Sequence, residues 1–446
     1  MTRTLEPTRA ASGGLALTAI SAGYFLVILD TTIVAIALDR MAVGLHTTVA
    51  GLEWVVDGYT VTLAALLMAG GGLADRFGAR RSFQVGLAFF GVASLACAAA
   101  PTVAVLVAAR ILQGIGAALL IPASLALIRH TYPDPKDRAR ATGIWGAIGS
   151  TAASCGPVLG GVLSENIGWP AIFAVNVPIC ALAAVLLNRT VPPVLGAAQP
   201  IPVFGQAAAA LAVAGVTATA ILAGARPVPP GPLTVAVVAA VAGLLLGVHA
   251  ARSGKGLLPN SLRRSHAFVG SSLIGFAQNF GFYGQLFVIS LFFQRSLHYS
   301  PTTAGLALLP EMAIGIVGSA LGGRMTARYG PRRVILIGMS TGAAGLFGLG
   351  CVGPHTPYPV IAIALLLTGF GMALTMPAAT SLTVSAAGPA HTGLAAAAFN
   401  AARQFGSALG VAVLASLMTL TTGLALPLAT AALVYLTAAI CSRRIP

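Results

Sequence analysis

Fourteen apolar runs separated by short Pro-, Gly- or charge-rich punctuation cover most of the chain. They lie at 14–38, 51–71, 82–100, 102–128, 140–163, 169–188, 203–224, 232–251, 267–293, 303–323, 332–352, 358–381, 393–417 and 421–441. Roughly 20 apolar residues at about 1.5 Å rise span the hydrocarbon core of a bilayer, so each run predicts one helical crossing. An even number of crossings puts both termini on one side.

The polar punctuation says which side. Gly71–Arg81, GGLADRFGARR, joins the second and third runs and carries Arg76, Arg80 and Arg81. Short loops rich in Lys and Arg are retained inside, so this turn marks a cytoplasmic face, and Arg3, Arg9, Arg443 and Arg444 place both termini there. The turn recurs as Gly323–Arg333, GRMTARYGPRR: Arg76, Gly78, Arg80 and Arg81 meet Arg328, Gly330, Arg332 and Arg333, all 252 positions later. Two further echoes keep nearly that offset. Gly114, Gly116 and Pro122 match Gly369, Gly371 and Pro377, while Thr142, Gly143, Gly156 and Gly160 match Thr392, Gly393, Gly406 and Gly410.

Three echoes in one order predict two related halves. Equivalent signals lie eight crossings apart, an even number, so the halves are parallel repeats related by an axis along the membrane normal. Runs seven and eight are then an inserted pair, and Phe204–Leu222 and Leu233–Val248 have almost no polar side chains beyond small hydroxyls and Gln206, as a lipid-facing pair requires. Pro192, Pro193, Pro200 and Pro202 before the pair, and SGKGLLPNSLRRSH after it, form connectors. The predicted fold is an all-α polytopic membrane protein: a cytoplasmic tail over 1–13, a six-helix bundle over 14–190, connectors and two extra helices over 191–255, a second six-helix bundle over 256–441, and a cytoplasmic tail over 442–446.

Composition excludes other classes. A hydrophobic fraction of 57%, 8% charged residues and a mean hydropathy of +0.91 rule out a soluble globule, which carries about a quarter charged residues. The net charge of +15 points to no nucleic acid, because topology accounts for it: of 25 Lys and Arg, 20 fall in segments assigned to the cytoplasm, Arg40, Arg226 and Arg295 fall outside, and Arg110 and Arg403 fall within crossings. The five cysteines, mostly inside apolar runs, lack CxxC or metal-ligand spacing, so no disulfide, metal or cofactor is predicted. Gly114-x-Gly116 is followed by no P-loop lysine, and no Ser-His-Asp constellation exists, which argues against an enzyme. The charged N-terminus precedes a run, Leu15–Leu38, that contains Asp30 and lacks a small-residue cleavage site, so it reads as a retained helix.

Ionisable residues within crossings carry the chemistry, because each costs at least about 2.5–3.5 kcal/mol at mid-bilayer. Asp30 stands in FLVILDTTIVAIAL beside Thr31 and Thr32, with no basic residue within two helical turns. Low dielectric favours a neutral, protonated carboxyl, so Asp30 outlines a proton-coupling site; the competing reading is a structural aspartate bonded to a neighbouring helix. Glu53, at the outer mouth, and Asp57 are four residues apart and share one face of the second helix, with Trp54 beside them, where they offer carboxylates to protons or a cationic substrate, or else stay solvated at the interface. Glu311 follows Pro310, whose bend would widen a cavity there, and is the one acid of the second half in a crossing. Arg110, with Gln113 and Gly114 on its side of the fourth helix, needs a carboxyl whose protonation would couple charge to conformation, unless it snorkels outward.

Polar residues at helical spacing outline a substrate cavity: Asn400, Arg403, Gln404 and Ser407 on the thirteenth helix, and Gln278, Asn279, Tyr283 and Gln285 among phenylalanines on the ninth. Gly156, Pro157, Gly160 and Gly161 put small residues on one face of the fifth helix, allowing close approach and a bend.

Together these motifs resemble the major facilitator superfamily, in its fourteen-helix drug:proton antiporter branch of the methylenomycin-resistance type. GGLADRFGARR resembles the signature loop, with Gly71, Asp75, Arg76, Gly78 and Arg80 in register and Ala79 where a basic residue is usual; Arg81 closes it. ARILQGIGAA resembles the fourth-helix motif, GSTAASCGPVLGG the antiporter motif of the fifth, LDTTIVAIAL the first-helix motif with Asp30 at its acid, and WVVDGYTVTLAALLMAGG the second helix of such exporters. The resemblance implies a major facilitator fold and a proton-coupled exporter of amphipathic drugs or antibiotics in the cytoplasmic membrane, working as a monomer. It implies a conformational latch made by Asp75 and the loop arginines, which Ala327 denies to the second copy. Uptake of a small metabolite by proton symport on the same fold, and a non-transporting receptor or scaffold, are the alternatives; the Gly-Pro motif favours export over symport, and the buried acids disfavour a scaffold.

Overall fold

The structure is a computed structural model that describes residues 9–193, 196, 203–225, 227–253, 256–421 and 423–443. Arg3, Arg226, Arg444, Pro200 and Pro202 lie outside the described residues. Among the described residues every regular element is a helix: α1 (Arg9–Gly44), α2 (Val49–Phe77), α3 (Ala79–Ala98), α4 (Val103–Thr131), α5 (Pro135–Asn166), α6 (Ala171–Ala174), α7 (Asn176–Thr190), α8 (Val203–Gly224), α9 (Pro230–Arg252), α10 (Asn260–Arg263), α11 (His266–Arg295), α12 (Pro301–Ala307), α13 (Leu309–Tyr329), α14 (Pro331–Gly350), α15 (Tyr358–Thr421) and α16 (Ala425–Ser442).

Thirteen stretches among the described residues are long and apolar enough to cross a membrane. The fourteenth expected crossing is α11, long enough at 30 residues but studded with Gln278, Asn279, Gln285 and Gln294. Nearly all of it from Ile274 onward is buried, so its neighbours are protein rather than lipid and its polar side chains do not face hydrocarbon. The sixth and tenth crossings are each broken into a short and a long helix, at Val175 and Leu308.

The loop expected between the twelfth and thirteenth runs is instead helical, and α15 continues for 64 residues. It nevertheless folds back on itself. Met372 and Gly406 would stand about 51 Å apart on a straight helix. Yet Met372 accepts a hydrogen bond from Gln278, and a methyl on Gly406 would overlap the carbonyl of Phe276, so both meet one turn of α11. The first arm runs antiparallel to α11, with Thr383 bonded to Ser271, and the second runs parallel to it, with Gly410 against Phe280. Two crossings result, Tyr358–Ala387 and His391–Thr421.

Equivalent glycines of the two halves make equivalent contacts. Gly114 of α4 sits against the carbonyl of Tyr59 on α2, and Gly369 of α15 against that of Glu311 on α13. Gly116 meets Gly86 of α3, and Gly371 meets Gly338 of α14. Gly156 and Gly160 of α5 abut Thr32 and Ile33 of α1, as Gly406 and Gly410 abut α11. Without Cβ atoms these backbones approach closely enough for dispersion to hold them where no hydrophobic effect operates. Gly78 and Gly330 of the duplicated turns both adopt positive φ, 91° and 80°, which explains glycine at each. At the opposite ends of α1 and α11, His46 and His298 are also both left-handed, at 47° and 54°. The molecule therefore consists of two parallel repeats. Between them in sequence, α8 and α9 pack on each other through Gly215 and Gly243 and α8 leans on α2 and α15, while Val235, Val238, Leu244 and Leu245 of α9 are exposed as a lipid-facing pair requires.

Adding a methyl at Gly406 forces α11 and α15 apart. Gly406→Ala should lose about 1–3 kcal/mol of stability in chemical unfolding from mixed micelles, whereas Gly143→Ala, with open space around it, should not destabilise.

Candidate functional site

Five helices of the first repeat, α1, α2, α3, α4 and α7, converge on one buried polar cluster. Asp30 on α1 forms an ion pair and a short hydrogen bond with the Arg110 guanidinium of α4, and neither side chain is more than 1% exposed. The other carboxylate oxygen of Asp30 accepts from Gln113 Nε2 at 2.7 Å and from Asn176 Nδ2 of α7 at 3.2 Å. Gln113 is itself oriented: its Oε1 accepts from Arg110 at 2.8 Å and its Nε2 also reaches Ser94 Oγ of α3 at 3.0 Å. Arg110 Nε donates to the Val55 carbonyl of α2 at 3.0 Å, and the rings of Tyr59 and Phe173 lie 4.3 and 5.7 Å from the guanidinium carbon. Charge-assisted bonds and ring quadrupoles together offset the desolvation that an isolated pair would suffer here.

This geometry revises the view of Asp30 as a lone carboxyl. No base sits near it on its own helix, but Arg110, 80 residues away in sequence, supplies the counter-charge. Arg110 does not snorkel; it is among the largest fully buried side chains. Asn176 and Ser94 escaped sequence reasoning. Asn176 had a signal, an amide in the otherwise apolar stretch from Ala171 to Leu187; Ser94 had none, since small hydroxyls are common in crossings.

The remaining acids are buried but less satisfied. Glu53 does not sit at an open mouth: it is 2% exposed, and its Oε2 has no protein partner. Asp57, on the same face of α2, accepts from Thr60 Oγ1 at 3.0 Å and leaves Oδ2 unpartnered, which also removes the solvated interfacial reading. Trp54 between them is half-buried. Glu311 is buried in the first turn of α13, just past the break at Leu308; Gln285 of α11 donates to its Oε2 at 3.3 Å and Oε1 is unpartnered. Pro310 occupies the first turn, where its missing N–H costs no helical bond, so the bend expected at this proline is a clean break.

The polar residues of α11 and the second arm of α15 face each other. Arg403 donates to Asn400 at 3.1 Å and to Asn279 at 3.4 Å, and Gln404 beside it is half-buried. One turn further along, Tyr283 and Ser407 join Thr31 of α1 and Val56 of α2 around a cavity of about 10 Å³, room for one water at most. Both repeats contribute to its wall.

At the ends of the bundle the contacts differ. Away from the arginine-rich turns, Arg295 of α11 pairs with Asp39 of α1 at 2.7 Å, Gln294 donates to the Ile36 carbonyl, and Glu165 of α5 accepts from Ser300 and the Thr302 amide, so the repeats are clasped there. Gly161 and Pro157 of α5 pack against Pro301 and Gly305 of α12 beside that clasp. A hollow of about 590 Å³ opens around it. At the arginine-rich end, Asp75 approaches Arg129 of α4 at 4.0 Å with both exposed, rather than Arg76 or Arg81, and Arg80 donates to Asn188 of α7. Gly71 packs beside Pro122 of α4.

Removing one member of the buried pair strands the other. Arg110→Ala should cost about 3–5 kcal/mol of stability, and adding Asp30→Ala should recover part of it rather than add to it, a non-additivity that a double-mutant cycle in micelles measures directly.

Comparison with known proteins bears on the family and the fold. The Major Facilitator Superfamily sequence pattern matches residues 20–411. The methylenomycin A resistance protein of Bacillus subtilis is 37% identical over 417 residues, 92% of this chain and 88% of that one. The protein of the same description from Streptomyces coelicolor is 36% identical over 402 residues, covering 90% and 85%, and the drug efflux pump JefA of Mycobacterium tuberculosis is 33% identical over 420 residues, covering 93% and 82%. In fold, the chain resembles the partially occluded inward open conformation of the xylose transporter XylE from E. coli, with a TM-score of 0.70 over 98% of both chains at 16% identity. The chain belongs to the Major Facilitator Superfamily.

Proposed function

We propose that this protein is a proton-coupled antiporter that exports amphipathic drugs or antibiotics across the cytoplasmic membrane by alternating access, with the arginine-rich end and both termini in the cytoplasm. The observation that carries the reading is the Asp30–Arg110 pair, fully buried within the first repeat and held by Gln113 and Asn176. A proton arriving on Asp30 removes the counter-charge of Arg110 in a low-dielectric surround. The guanidinium must then repack, and the two arrangements of the bundles differ in how well they accommodate it. Glu311, with one oxygen unpartnered beside a helix break, is a proton carrier of the second repeat, though not at the position that matches Asp30, and Asp57 is a further one on α2. The names of the relatives, resistance and efflux proteins, favour export over uptake.

The energetics suffice. One elementary charge moving down 100 mV yields about 2.3 kcal/mol before any pH gradient is added. A single chain forms the whole pathway, between the two repeats where α1, α2, α11 and α15 meet. The clasp of Asp39 with Arg295 and of Glu165 with Ser300 acts as the outer gate, and the exposed Asp75–Arg129 contact, with Arg80 on Asn188, braces the inner end of the first bundle.

In energised everted vesicles, adding a transported drug should release protons, and Asp30→Asn should reduce that release and drug accumulation to background while the protein remains in the membrane. Undiminished transport by Asp30→Asn would remove the pair from the mechanism; silence of the unaltered protein toward a broad drug panel would remove the export reading.

A further inference from the structure

Arg403 bears a charge that no neighbouring carboxylate neutralises. It lies 12 residues into the 31-residue crossing His391–Thr421 and is half-buried. Among the described residues the three ion pairs join Arg110 to Asp30, Arg129 to Asp75 and Arg295 to Asp39. Arg403 has only the amide oxygens of Asn400 and Asn279, and the Phe399 ring 5.9 Å away. Since a guanidinium is donor-only, the Asn279 oxygen must face it, which turns the Asn279 amide nitrogen away; that nitrogen is fully buried and donates to nothing. Ser407 Oγ, one turn on along α15, is also buried without a partner. The neighbourhood thus holds one positive charge with no carboxylate paired to it among the described residues, and a buried amide N–H that donates to nothing.

Aromatic surface surrounds these groups. Phe276 and Phe405 are 5.4 Å apart beside it, and Arg403 lies within electrostatic reach of Tyr283 on α11 and of Tyr24 on α1, whose ring stacks on Trp145 at 3.7 Å. Asn279 and Arg403 stand one helical turn from Tyr283 and Ser407, which line the small cavity shared by the two repeats, so the donors flank a space that widens if the repeats separate.

We propose that Arg403 and the Asn279 amide form an anion subsite that takes the carboxylate of an aromatic, amphipathic substrate between α11 and the second arm of α15. A guanidinium fork by itself matches the two oxygens of a carboxylate, the Asn279 N–H is a further unused donor in the same neighbourhood, and the rings provide the apolar remainder of the site. The subsite deepens the export reading and rests on it for its role, but it is tested by equilibrium binding, which needs no proton gradient.

The probes are pyrenebutyrate, its methyl ester and pyrenebutylamine, titrated by fluorescence into the purified full-length protein in detergent. Pyrenebutyrate should bind at least tenfold tighter than either the ester or the amine. Arg403→Gln should abolish that preference and Arg403→Lys should retain part of it, with thermal unfolding checking that each variant is folded. Equal binding of the three probes to the unaltered protein, tighter binding of the amine, or an undiminished preference in Arg403→Gln overturns the proposal; if Arg403→Gln does not fold, the charge series on the unaltered protein and on Arg403→Lys decides it. A carboxylate preference in a protein that exports nothing in vesicles keeps the subsite and removes export, and export without the preference does the reverse.

Discussion

An ion pair in oil governs this molecule. Asp30 and Arg110 sit where water does not reach, so each is tolerable only because the other is present and because Gln113, Asn176 and the Val55 carbonyl occupy further bonding positions, with Ser94 holding Gln113 in place. Five helices, α1, α2, α3, α4 and α7, contribute to that arrangement, so their relative positions are fixed by electrostatics as well as by packing. In the proposed mechanism the same dependence makes the pair a switch. A single proton changes the charge balance of the cluster, and in low dielectric such a change cannot be absorbed without movement.

Movement of whole bundles is possible because the packing within each is tight. Gly114, Gly116, Gly156 and Gly160 in the first repeat, and Gly369, Gly371, Gly406 and Gly410 in the second, bring backbones into contact and leave little slack inside a repeat. Between repeats the described polar contacts are fewer and exchangeable: a partly exposed ion pair, a glutamate on a hydroxyl and an amide, a glutamine on a carbonyl, and the Ser154 hydroxyl on the Met312 carbonyl. Exposed pairs of this kind are worth about 0–1 kcal/mol each, so they can be broken and remade. Glycine-tight packing within each repeat, with few polar contacts and otherwise apolar packing between them, suits the rocking of two halves about a site.

Most of the architecture was legible in the sequence because it is local or repeated. Apolar runs record crossings, arginine turns record a face, and glycines at fixed offsets record helix contacts twice over. The 64-residue α15 was legible as two crossings but not as continuous helix, because Gly388 and Pro389 between the two apolar runs read as a break. The α11 helix was found by its apolar run although its buried amides lower its hydropathy. What could not be read was partnership across helices. Asp30 appeared alone because its counter-ion is on another helix, Asn176 appeared ordinary, and Glu53 appeared to be at a mouth because position along a helix does not reveal which neighbour covers it. Arg403 was legible as part of a polar stripe, yet the absence of a carboxylate beside it is a three-dimensional fact.

The proposed coupling of a proton on Asp30 to the clasp at the far end can be measured as a distance. Spin labels at Val43, near the end of α1, and at Ser296, just beyond α11, in a chain freed of its five cysteines, report the separation of the repeats in proteoliposomes. The account predicts two distance populations whose ratio shifts with pH, and an Asp30→Asn protein held at the low-pH distribution at every pH. A distribution that ignores pH, or an Asp30→Asn protein that responds as the unaltered one does, would contradict it.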